Sequence, residues 1–329
     1  MITRRNLIKS ISIATASTAI AAVSAYSNNI YKENHIVKNT NITNKQDVIF
    51  SFGVIADPQY APIPSNKETR FYSNSLWKLD ECIDFFNKEN LHFSVTLGDM
   101  IDRHYQSYFD ILPIYNNLEH KHYFVLGNHD YEIARDYIKS VTKTLGMKNN
   151  FYDFSIEGYR FIVLDGNDVS LFAPQKGNEY LGIPDDPRIA LASERLKKLK
   201  ENGAINAQPW NGSLSERQFE WLENKLKETK DSKEKVIILC HYPIYPENKH
   251  NMWDSERILS LLTSYNNVVA YFCGHNHEGN YGKLSGIHFV NFKGMVETPT
   301  SNAFSTVDIT NNKLIINGYG LEENRILDI

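Results

Sequence analysis

Short apolar runs bounded by turn residues alternate with segments of helical spacing along most of the chain. The runs predict β-strands over residues 48–56, 91–97, 123–126, 151–165, 236–240, 268–273, 287–292, 303–309 and 313–319. Helical segments lie between most of the earlier strands, whereas the last two strands form a terminal pair with Asn312 at the turn. Alternating strands and helices followed by late antiparallel strands fit two sheets flanked by helices, which is an α/β fold of the αββα sandwich type.

Two helices are predicted from apolar positions that recur every three or four residues. In the first helix these positions are Leu76, Leu79, Ile83 and Phe86. In the second helix they are Phe219, Leu222 and Leu226. The sequence from Ser215 to Gln218 resembles a capping box, in which serine and glutamine side chains satisfy free backbone N–H groups, and it predicts where the second helix begins.

Residues 169–212 contain few strand-forming runs. Glycine and proline surround a single charged helical segment there. Loops of this length inside a compact domain are commonly binding loops or lids. We therefore expect residues 47–329 to form one domain in which residues 169–212 are an insertion over the active face.

The first 25 residues have the pattern of an export signal. Arg4 and Arg5 precede a mildly apolar stretch, and residues 23–25, Val-Ser-Ala, end it with small side chains. This pattern predicts a signal peptide cleaved after Ala25, and the arginine pair resembles a twin-arginine signal. We expect export by the twin-arginine machinery to the periplasm or the extracellular space, with membrane contact only through the transient signal; an uncleaved anchor is the alternative. Residues 26–46 are predicted to be an exposed lead-in.

Composition places the chain among ordinary globular proteins. Of its 329 residues, 42% are hydrophobic and 22% are charged, which excludes a disordered or fibrous chain. The formal net charge is -4 and no dense Lys/Arg cluster occurs, so nucleic acid is not an expected partner. Cys82, Cys240 and Cys273 are expected to be small buried packing residues, and a disulfide between the last two is an alternative that the sequence leaves open.

Five polar motifs each follow an apolar, strand-like run. They are Asp57-Pro58-Gln59, Gly98 to Arg103, Gly127 to Asp130, Cys240-His241 and Gly274 to His277. Each motif alone has an ordinary explanation, because a strand-end Asp is usually a turn residue and a lone His is usually a packed or surface residue. Together at strand ends they predict a hydrolase with a two-metal site. Carboxylates combined with imidazoles suit Mn, Fe or Zn, whereas Mg and Ca prefer a shell of oxygens only.

These motifs resemble those of the calcineurin-like metallophosphoesterases, from residue 50 to the C-terminus. Four segments are similar, more narrowly, to the manganese-dependent ADP-ribose/CDP-alcohol diphosphatases: residues 53–61, 210–212, 241–246 and 274–281. The resemblance implies the two-sheet sandwich of that superfamily and a pair of divalent ions, with Mn preferred and Fe or Zn as alternatives. It also implies a small nucleotide-like phosphate substrate.

The resemblance further implies a ligand set for two ions. Metal 1 takes Asp57, Gln59, Asp99 and His277, and metal 2 takes Asp99, Asn128, His241 and His275. Asp99 is shared, because the two oxygens of one carboxylate can hold cations about 3.5 to 4 Å apart. Gln59 departs from the His that most of the superfamily has there. A neutral amide is a weaker ligand than an imidazole, so we expect an exchangeable ion at metal 1.

Other residues are implied to act on the substrate. His129, held by Asp102, is expected to protonate the leaving oxygen or to bind the phosphoryl group. Arg103 is expected to bind a phosphate oxygen, with a surface salt bridge as the alternative. The candidate substrate contacts are Tyr60, Trp210, Asn211 and Tyr281. Of these, Tyr60 would stack on a nucleobase from the rim of the site, although a Tyr beside a strand is more often a packing residue.

The expected activity is hydrolysis of the diphosphate in ADP-ribose, CDP-alcohols or similar small nucleotides, by in-line attack of a metal-bridging hydroxide. A phosphomonoesterase, or a phosphodiesterase acting on cyclic nucleotides or glycerophosphodiesters, would use the same metals and is the alternative within the class. An inactive metal-binding surface protein is the alternative from another class. The complete ligand set together with His129 and Asp102 favours the enzyme.

Overall fold

Two six-stranded sheets form the framework of the protein. The computed structural model describes residues 47–65, 69–174 and 176–329. The predicted signal peptide at 1–25 and the predicted lead-in at 26–46 lie outside these residues. In the part of the chain that is described, no helix has the length and apolar character needed to cross a membrane.

Sheet I combines strands from the beginning and the end of the described chain. Its strands are β1 (Phe50–Ile55), β2 (Phe93–Leu97), β3 (Lys121–Val125), β10 (Ala303–Ile309), β11 (Lys313–Gly320) and β12 (Arg325–Asp328), in the order β12-β11-β10-β1-β2-β3. β1, β2 and β3 run parallel. β10 pairs antiparallel with β1, and β11 and β12 continue the antiparallel half of the sheet.

Sheet II is built from the middle of the chain. Its strands are β4 (Tyr152–Ile156), β5 (Tyr159–Val163), β6 (Lys235–Leu239), β7 (Val268–Cys273), β8 (Asn280–Leu284) and β9 (Ile287–Asn291), in the order β4-β5-β6-β7-β9-β8. The four central strands, β5, β6, β7 and β9, run parallel. The two edge strands, β4 and β8, are antiparallel to their neighbours.

An aromatic core fills the space between the two sheets. Phe52 of β1 stacks on Phe93 of β2 with ring centroids 4.8 Å apart, and Phe161 of β5 meets Phe52 edge-on at 5.4 Å. Alternate residues of β1 point into this core. Gly53 faces the other side of the sheet, where a Cβ would collide with the ring of Phe86. The missing side chain thus lets a helix lie close against sheet I.

Helices cover the outer face of each sheet. Sheet I is covered by α1 (Ser75–Phe86), α2 (Ser107–Tyr115) and the short α3 (Val141–Thr144). Sheet II is covered by α5 (Glu216–Ser232) and α6 (Ser255–Thr263). The remaining helix described, α4 (Pro187–Glu201), lies in the predicted insertion. Leu79, Ile83 and Phe86 of α1 pack on sheet I, and Leu222 and Leu226 of α5 pack on sheet II, as the helical spacing predicted. The layers are therefore helix, sheet, sheet, helix, and the predicted αββα sandwich is confirmed.

The strand pattern differs from the prediction in two respects. The run at 151–165 is a hairpin of β4 and β5 instead of one strand, because Glu157 and Gly158 adopt φ values of 48° and 80° that suit a tight two-residue turn. The predicted strands do not include β8 or β12. β8 contains Asn280 and Gly282, which disfavour strands, and it forms because it can pair with the buried β9.

Residues 169–212 form a segment whose two ends meet. Val169 and Ser213 exchange backbone hydrogen bonds of 2.9 and 3.0 Å. Inside the segment, α4 begins after Asp186, whose side chain caps the helix, and Pro187 occupies the first turn. Apolar side chains of α4 cluster with Trp253 near the start of α6.

Candidate metal centre

The predicted ligand motifs meet at one edge of the sandwich. Asp57 follows β1, Asp99 follows β2, Asn128 follows β3, His241 follows β6, and His275 and His277 follow β7. These strands run parallel within each sheet, so their carboxyl ends lie at the same edge. The edges of the two sheets adjoin there, because ligands after sheet I strands contact ligands after sheet II strands.

Several of these residues have a backbone conformation that L-amino acids rarely adopt. The φ values are 48° at Asp57, 49° at Gln59, 53° at Asp99 and 67° at His275. Each such residue costs on the order of 1–3 kcal/mol and persists only when its surroundings hold it. Strain of this kind concentrates at functional sites, and here it affects four of the predicted ligands.

Glycines leave room for the ligand side chains. A Cβ at Gly98 would touch the ring of His241, one at Gly127 would collide with the Asp99 carboxylate, and one at Gly274 would collide with the Asp57 carboxylate. Gly98 also has a φ of 94°. Glycine therefore precedes a predicted ligand in three motifs because any larger residue would displace a ligand from another motif.

The metal-2 group, which consists of Asp99, Asn128, His241 and His275, converges on one point. His241 Nε2 lies 3.1 Å from Asn128 Oδ1 and 3.1 Å from His275 Nδ1. It also lies 3.4 Å from Asp99 Oδ2. All four side chains are buried. Two imidazole nitrogens, an amide oxygen and a carboxylate oxygen at these separations suit one small cation.

The protonation of the two imidazoles follows from their other partners. His241 Nδ1 donates to the carbonyl oxygen of Leu97 at 2.8 Å, and His275 Nε2 donates to Asn211 Oδ1 at 3.0 Å. In the neutral rings the facing nitrogens, His241 Nε2 and His275 Nδ1, therefore carry lone pairs. These lone pairs and the Asn128 oxygen point at each other. A cation between them stabilises this arrangement; without a metal ion, a proton on His241 takes that place.

The metal-1 group, which consists of Asp57, Gln59, Asp99 and His277, shares Asp99 with the metal-2 group. Single ligand atoms of Asp57, Asp99 and His277 all lie within 4.8 Å of one another, and His277 Nε2 is 3.4 Å from Asp57 Oδ1. Gln59 is fully buried, and neither polar atom of its amide has a hydrogen-bond partner among the described residues. A buried amide without a partner is costly, and a cation held by its oxygen would remove that cost.

The charges of the site favour a bound cation. Burial opposes a protonated imidazole, but Asp99 raises the pKa of His241 to about 9. In the same way Asp57 and Glu297 raise the pKa of His277 to about 9 against the effect of burial. Burial opposes the ionised form of Asp99, yet the neighbouring imidazoles hold its pKa below the usual range. The carboxylates thus draw positive charge into the site, and the residues present fit a divalent metal ion.

Asp130 ties two motifs together, a role that the sequence does not reveal. Its buried carboxylate accepts hydrogen bonds from the backbone N–H groups of Asp99 at 3.0 Å, Met100 at 3.0 Å and Gly127 at 2.9 Å. The hydroxyl of Tyr108 donates a further bond at 3.1 Å. Burial and the charge of Asp99 raise the pKa of Asp130 to about 7. Asp130 is therefore a positioning residue for the shared ligand Asp99.

His129 lies beside the metal-2 group, and its two ring nitrogens face different partners. Its backbone N–H donates to Asp99 Oδ1 at 2.9 Å. Its Nδ1 lies 3.3 Å from Glu132 Oε2 and 3.4 Å from the backbone carbonyl oxygen of Asp102. The Asp102 carboxylate is 3.3 Å away but makes no hydrogen bond to the ring, so Glu132 takes the predicted role of Asp102 in holding it. Burial lowers the pKa of His129, but the surrounding carboxylates, Asp99 first, raise it overall. Its Nε2 lies 3.4 Å from Nη1 of Arg70.

Arg103 forms the salt bridge that was the alternative to phosphate binding. Its guanidinium contacts Asp102 and lies 5.7 Å from the centre of the Tyr72 ring, with the side chain 44% exposed. Arg70 approaches the site instead, because its guanidinium faces His129 and its backbone N–H donates to Glu297 Oε2 at 3.3 Å. The sequence does not single out Arg70, which lies in a polar loop before α1.

The prediction that Tyr60 stands at the rim is wrong. Its side chain is 5% exposed and packs in the apolar layer between sheet I and its helices, and its hydroxyl donates to Asp110 at 3.0 Å. Tyr281, on the edge strand β8, is 40% exposed. Its hydroxyl hydrogen-bonds His288 Nδ1 at 2.9 Å and the two rings stack, and its contact with substrate stays a prediction.

Asn211 and Trp210 are adjacent in sequence but differ in burial. Asn211 is fully buried, and besides contacting His275 it donates to the carbonyl oxygens of Asn206 and Lys249 at 3.1 and 2.8 Å. It is therefore a positioning residue for His275 and not the predicted substrate contact. Trp210 is 39% exposed, so its ring remains a candidate for substrate contact.

Sequence reasoning also missed His250. Its ring centroid lies 5.2 Å from that of His275, and its Nδ1 is buried with no hydrogen-bond partner in the described chain. Burial lowers the pKa of His250 to about 4, so this ring is neutral. His241 is recognised from its motif at the end of a strand. His250 lies in the loop that follows and belongs to no motif, so the sequence does not indicate that it lies beside the site.

The three cysteines have no role in the metal centre. Cys82, Cys240 and Cys273 are free buried thiols, so the alternative of a Cys240–Cys273 disulfide is excluded. Burial raises the pKa of Cys240 to about 11, which keeps the thiol protonated. The expectation of small packing residues is confirmed.

Comparison with known proteins agrees with this geometry. The family model for calcineurin-like phosphoesterases matches residues 50–279. The manganese-dependent ADP-ribose/CDP-alcohol diphosphatase of Mus musculus is 31% identical over 85% of this chain and 93% of its own length. The protein of the same name from Arabidopsis thaliana is 28% identical over 82% of this chain and 94% of its own length. A dimetal phosphatase from Danio rerio has a crystal structure that superposes with a TM-score of 0.74 at 25% identity, over 86% of this chain and 99% of that one.

Fold, site and relatives together define the class. The chain belongs to the calcineurin-like phosphoesterase family, and it is a metal-dependent phosphoester hydrolase. Divalent metals are the cofactors of this family, and the two ligand groups around Asp99 are where this chain would hold them. The family expected from the motifs is confirmed.

Proposed function

We propose that the chain hydrolyses the diphosphate of ADP-ribose, CDP-alcohols or similar small nucleotides with the help of two metal ions. The observation that carries this proposal is the pair of ligand groups that share the buried Asp99. The relatives from Mus musculus and Arabidopsis thaliana, which match most of the chain, bear the name of that activity. An inactive metal-binding protein would need the same ligand geometry, but it would not need the His129 imidazole held beside the ligands.

The two groups would hold Mn, with Fe or Zn as alternatives. Asp57, Gln59 and His277 would serve one ion and Asn128, His241 and His275 the other, with Asp99 between them. When bound, such a pair acidifies a water for attack on phosphorus and neutralises charge that develops on the phosphoryl oxygens.

His129 supplies the proton for the leaving group in this proposal. Attack of water forms a new P–O bond and breaks the P–O–P bridge, so the departing phosphate oxygen needs a proton. Nδ1 of His129 is held by the Glu132 carboxylate and the backbone carbonyl of Asp102, and the charge of the Asp102 carboxylate lies nearby. The carboxylates favour the doubly protonated ring. The Arg70 guanidinium can only donate, so Nε2 accepts from it in the structure, and Arg70 has to turn to the phosphate before Nε2 carries the proton that the leaving oxygen takes.

Arg70 takes the phosphate-binding role expected of Arg103. A guanidinium binds phosphate oxygens through paired N–H groups and stays charged at any physiological pH. Only one of the two arginines contacts the proposed acid, because Arg70 lies 3.4 Å from His129 while Arg103 is paired with Asp102. A diphosphate carries a second phosphoryl group beside the one that is attacked, and a cation next to the leaving-group acid suits it.

Product analysis tests the activity. With added Mn, ADP-ribose should give AMP and ribose 5-phosphate, and CDP-choline should give CMP and phosphocholine, whereas p-nitrophenyl phosphate, cyclic nucleotides and glycerophosphocholine should be cleaved poorly. Chromatography identifies each product. A preference for p-nitrophenyl phosphate would make the chain a phosphomonoesterase, and a preference for cyclic nucleotides or glycerophosphodiesters would make it a phosphodiesterase. No cleavage of any phosphate ester would favour the inactive binding protein.

We also propose that the protein acts after export to the periplasm or the extracellular space. The support is the sequence alone, Arg4-Arg5 followed by a weakly apolar stretch and small residues up to Ala25. A metal site drawn from five separated segments exists only after folding, and twin-arginine export carries folded cargo. Replacing both arginines by lysine should retain the protein in the cytoplasm, and the exported form should begin at Tyr26. Normal export of that variant, or a mature N-terminus at Met1, would contradict the proposal.

A further inference from the structure

Lys78 of α1 is a fully buried lysine whose ammonium group is bound entirely by one loop. It is 0% exposed, and its Nζ donates to the carbonyl oxygens of Met295, Glu297 and Thr298 at 2.7, 2.5 and 2.8 Å. A buried charge is expensive, and an apolar side chain of similar length would fill the same space at lower cost. The ammonium group therefore needs an explanation beyond packing.

The loop that Lys78 binds, residues 295–298, leads directly to the metal-1 group. Glu297 Oε1 accepts a hydrogen bond from His277 Nδ1 at 2.7 Å, which leaves His277 Nε2 directed toward Asp57. The first half of the loop is fixed to the end of β1, because the Val296 N–H donates to the Asp57 carbonyl at 3.0 Å. The second half, with the carbonyls of Glu297 and Thr298, is held by Lys78.

A carboxylate behind a ligating imidazole has a defined effect on metal binding. It fixes the ring orientation and the tautomer, and it strengthens the donor nitrogen on the other side of the ring. Each group contains one neutral amide, Gln59 in the metal-1 group and Asn128 in the metal-2 group. The metal-1 group depends more on such help because His277 is its only imidazole, whereas the metal-2 group has two. In the metal-2 group the corresponding partner of His275 is the neutral Asn211.

We propose that Lys78 is a positioning residue for metal 1, which holds Glu297 against His277, the only imidazole of that group. The inference rests on the proposed function, since it takes for granted that the chain binds two ions. Lys78 touches neither substrate nor metal ligands directly, and its effect passes through the loop and through Glu297. The distance in sequence between Lys78 and Glu297 explains why no motif connects them.

The test is a Mn titration of purified, folded protein, read by calorimetry with no substrate present. The Gln59→His variant identifies the metal-1 phase, because only that phase should tighten. Glu297→Gln should weaken the metal-1 phase by about 10- to 100-fold, the usual effect of losing such a partner, and leave the other phase in place. Lys78→Met should weaken the same phase by a smaller factor. Lys293→Met is the matched control, since Lys293 lies just before the loop but pairs with Glu323 at the surface, and both phases should be unchanged.

The titration distinguishes failure of the role proposed for Lys78 from failure of the two-metal function on which that role rests. Equal weakening of both phases by Lys78→Met, or no change in either, would overturn the role of Lys78. If Lys78→Met fails to fold by circular dichroism, the decision passes to Lys78→Gln, which keeps an N–H donor but removes the charge. Selective weakening of the metal-1 phase in that variant supports the role of Lys78, and an unchanged metal-1 phase overturns it. Binding of only one ion by the unmodified chain would instead refute the two-metal function, which the same titration reveals before any variant is measured.

Discussion

The floor of the site and its rim are built in different ways. The floor consists of the predicted metal ligands at strand ends. Left-handed backbone at Asp57 and Asp99, close-approaching glycines and the buried Asp130 hold these side chains in place. The rim consists of longer side chains from loops, among them Arg70 and Trp210. Changes in the floor should therefore affect metal binding, and changes in the rim should affect turnover and substrate choice while the metals stay bound.

Loss of the acid at the border of floor and rim gives the largest expected effect on rate. His129→Ala should lower kcat by roughly 100- to 10,000-fold, the usual range for a positioned acid, because no other ring reaches the leaving oxygen in this scheme. Metal content should stay the same, since His129 contacts Asp99 only through its backbone N–H. Steady-state kinetics and elemental analysis measure both. Loss of metal would show that His129 supports metal binding, and an unchanged kcat would show that it has no part in the mechanism.

Arg70, which faces His129, and Arg103, which pairs with Asp102, provide a direct comparison at the rim. Arg70→Gln should lower kcat/KM for a diphosphate by about 10- to 100-fold, because hydrogen bonds to charged groups contribute about 1.5–3 kcal/mol. Arg103→Gln should lower it far less, since its exposed side chain is paired with Asp102. Kinetics with ADP-ribose and with bis(p-nitrophenyl) phosphate, which has no second phosphoryl group, measure the difference. A larger loss in Arg103→Gln would return the phosphate role to Arg103.

The floor should respond to pH through its imidazoles. In the metal-free protein the pKa values of His241 and His277 are both about 9, so each ring carries a proton at neutral pH that a metal must displace. Affinity for Mn should therefore rise between pH 6.5 and about 9 and level off above it, by up to about tenfold per pH unit for each proton released. Calorimetry in two buffers of different ionisation enthalpy counts the released protons. Affinity that is constant or falls over this range would contradict the assigned protonation.

The smallest expected effect comes from Gln59 and distinguishes the metal-1 group from the metal-2 group. Gln59→His should tighten only the weaker Mn phase, by about a few-fold, since imidazole is the better donor for these ions. Activity should then depend less on added Mn. The measurement is activity against Mn concentration for both proteins. An unmoved titration would show that Gln59 is not a ligand, although its amide is buried without a partner among the described residues.

The sequence predicts the floor well because strands and motifs are local signals. Asp57, Asp99 and His241 each come directly after a strand, and parallel strands bring their ends to one edge, so the meeting of these residues follows from their order along the chain. Their assignment as ligands comes from the family resemblance. The sandwich itself follows from the same alternation. The hairpin at 151–165 was harder, because an apolar run looks the same whether or not two of its residues turn.

The rim and the supporting residues depend on contacts between distant segments. Glu297 reaches His277 from a loop that has no motif, and Arg70 reaches His129 across 59 positions. Tyr60 illustrates the opposite error, because its place beside a ligand suggested the rim, while its side chain points into the helix layer. Periodicity and spacing do not contain this information, since it arises only when the loops pack together.

The central claim is that two metal ions share Asp99, and counting ions tests it most directly. Protein reconstituted with excess Mn and freed of unbound metal should contain close to two ions per chain by elemental analysis. Asp99→Asn keeps the shape of the side chain but removes its charge, so it should lose metal from both groups together and lose activity. One ion per chain in the unmodified protein, or two ions and full activity in Asp99→Asn, would contradict the claim.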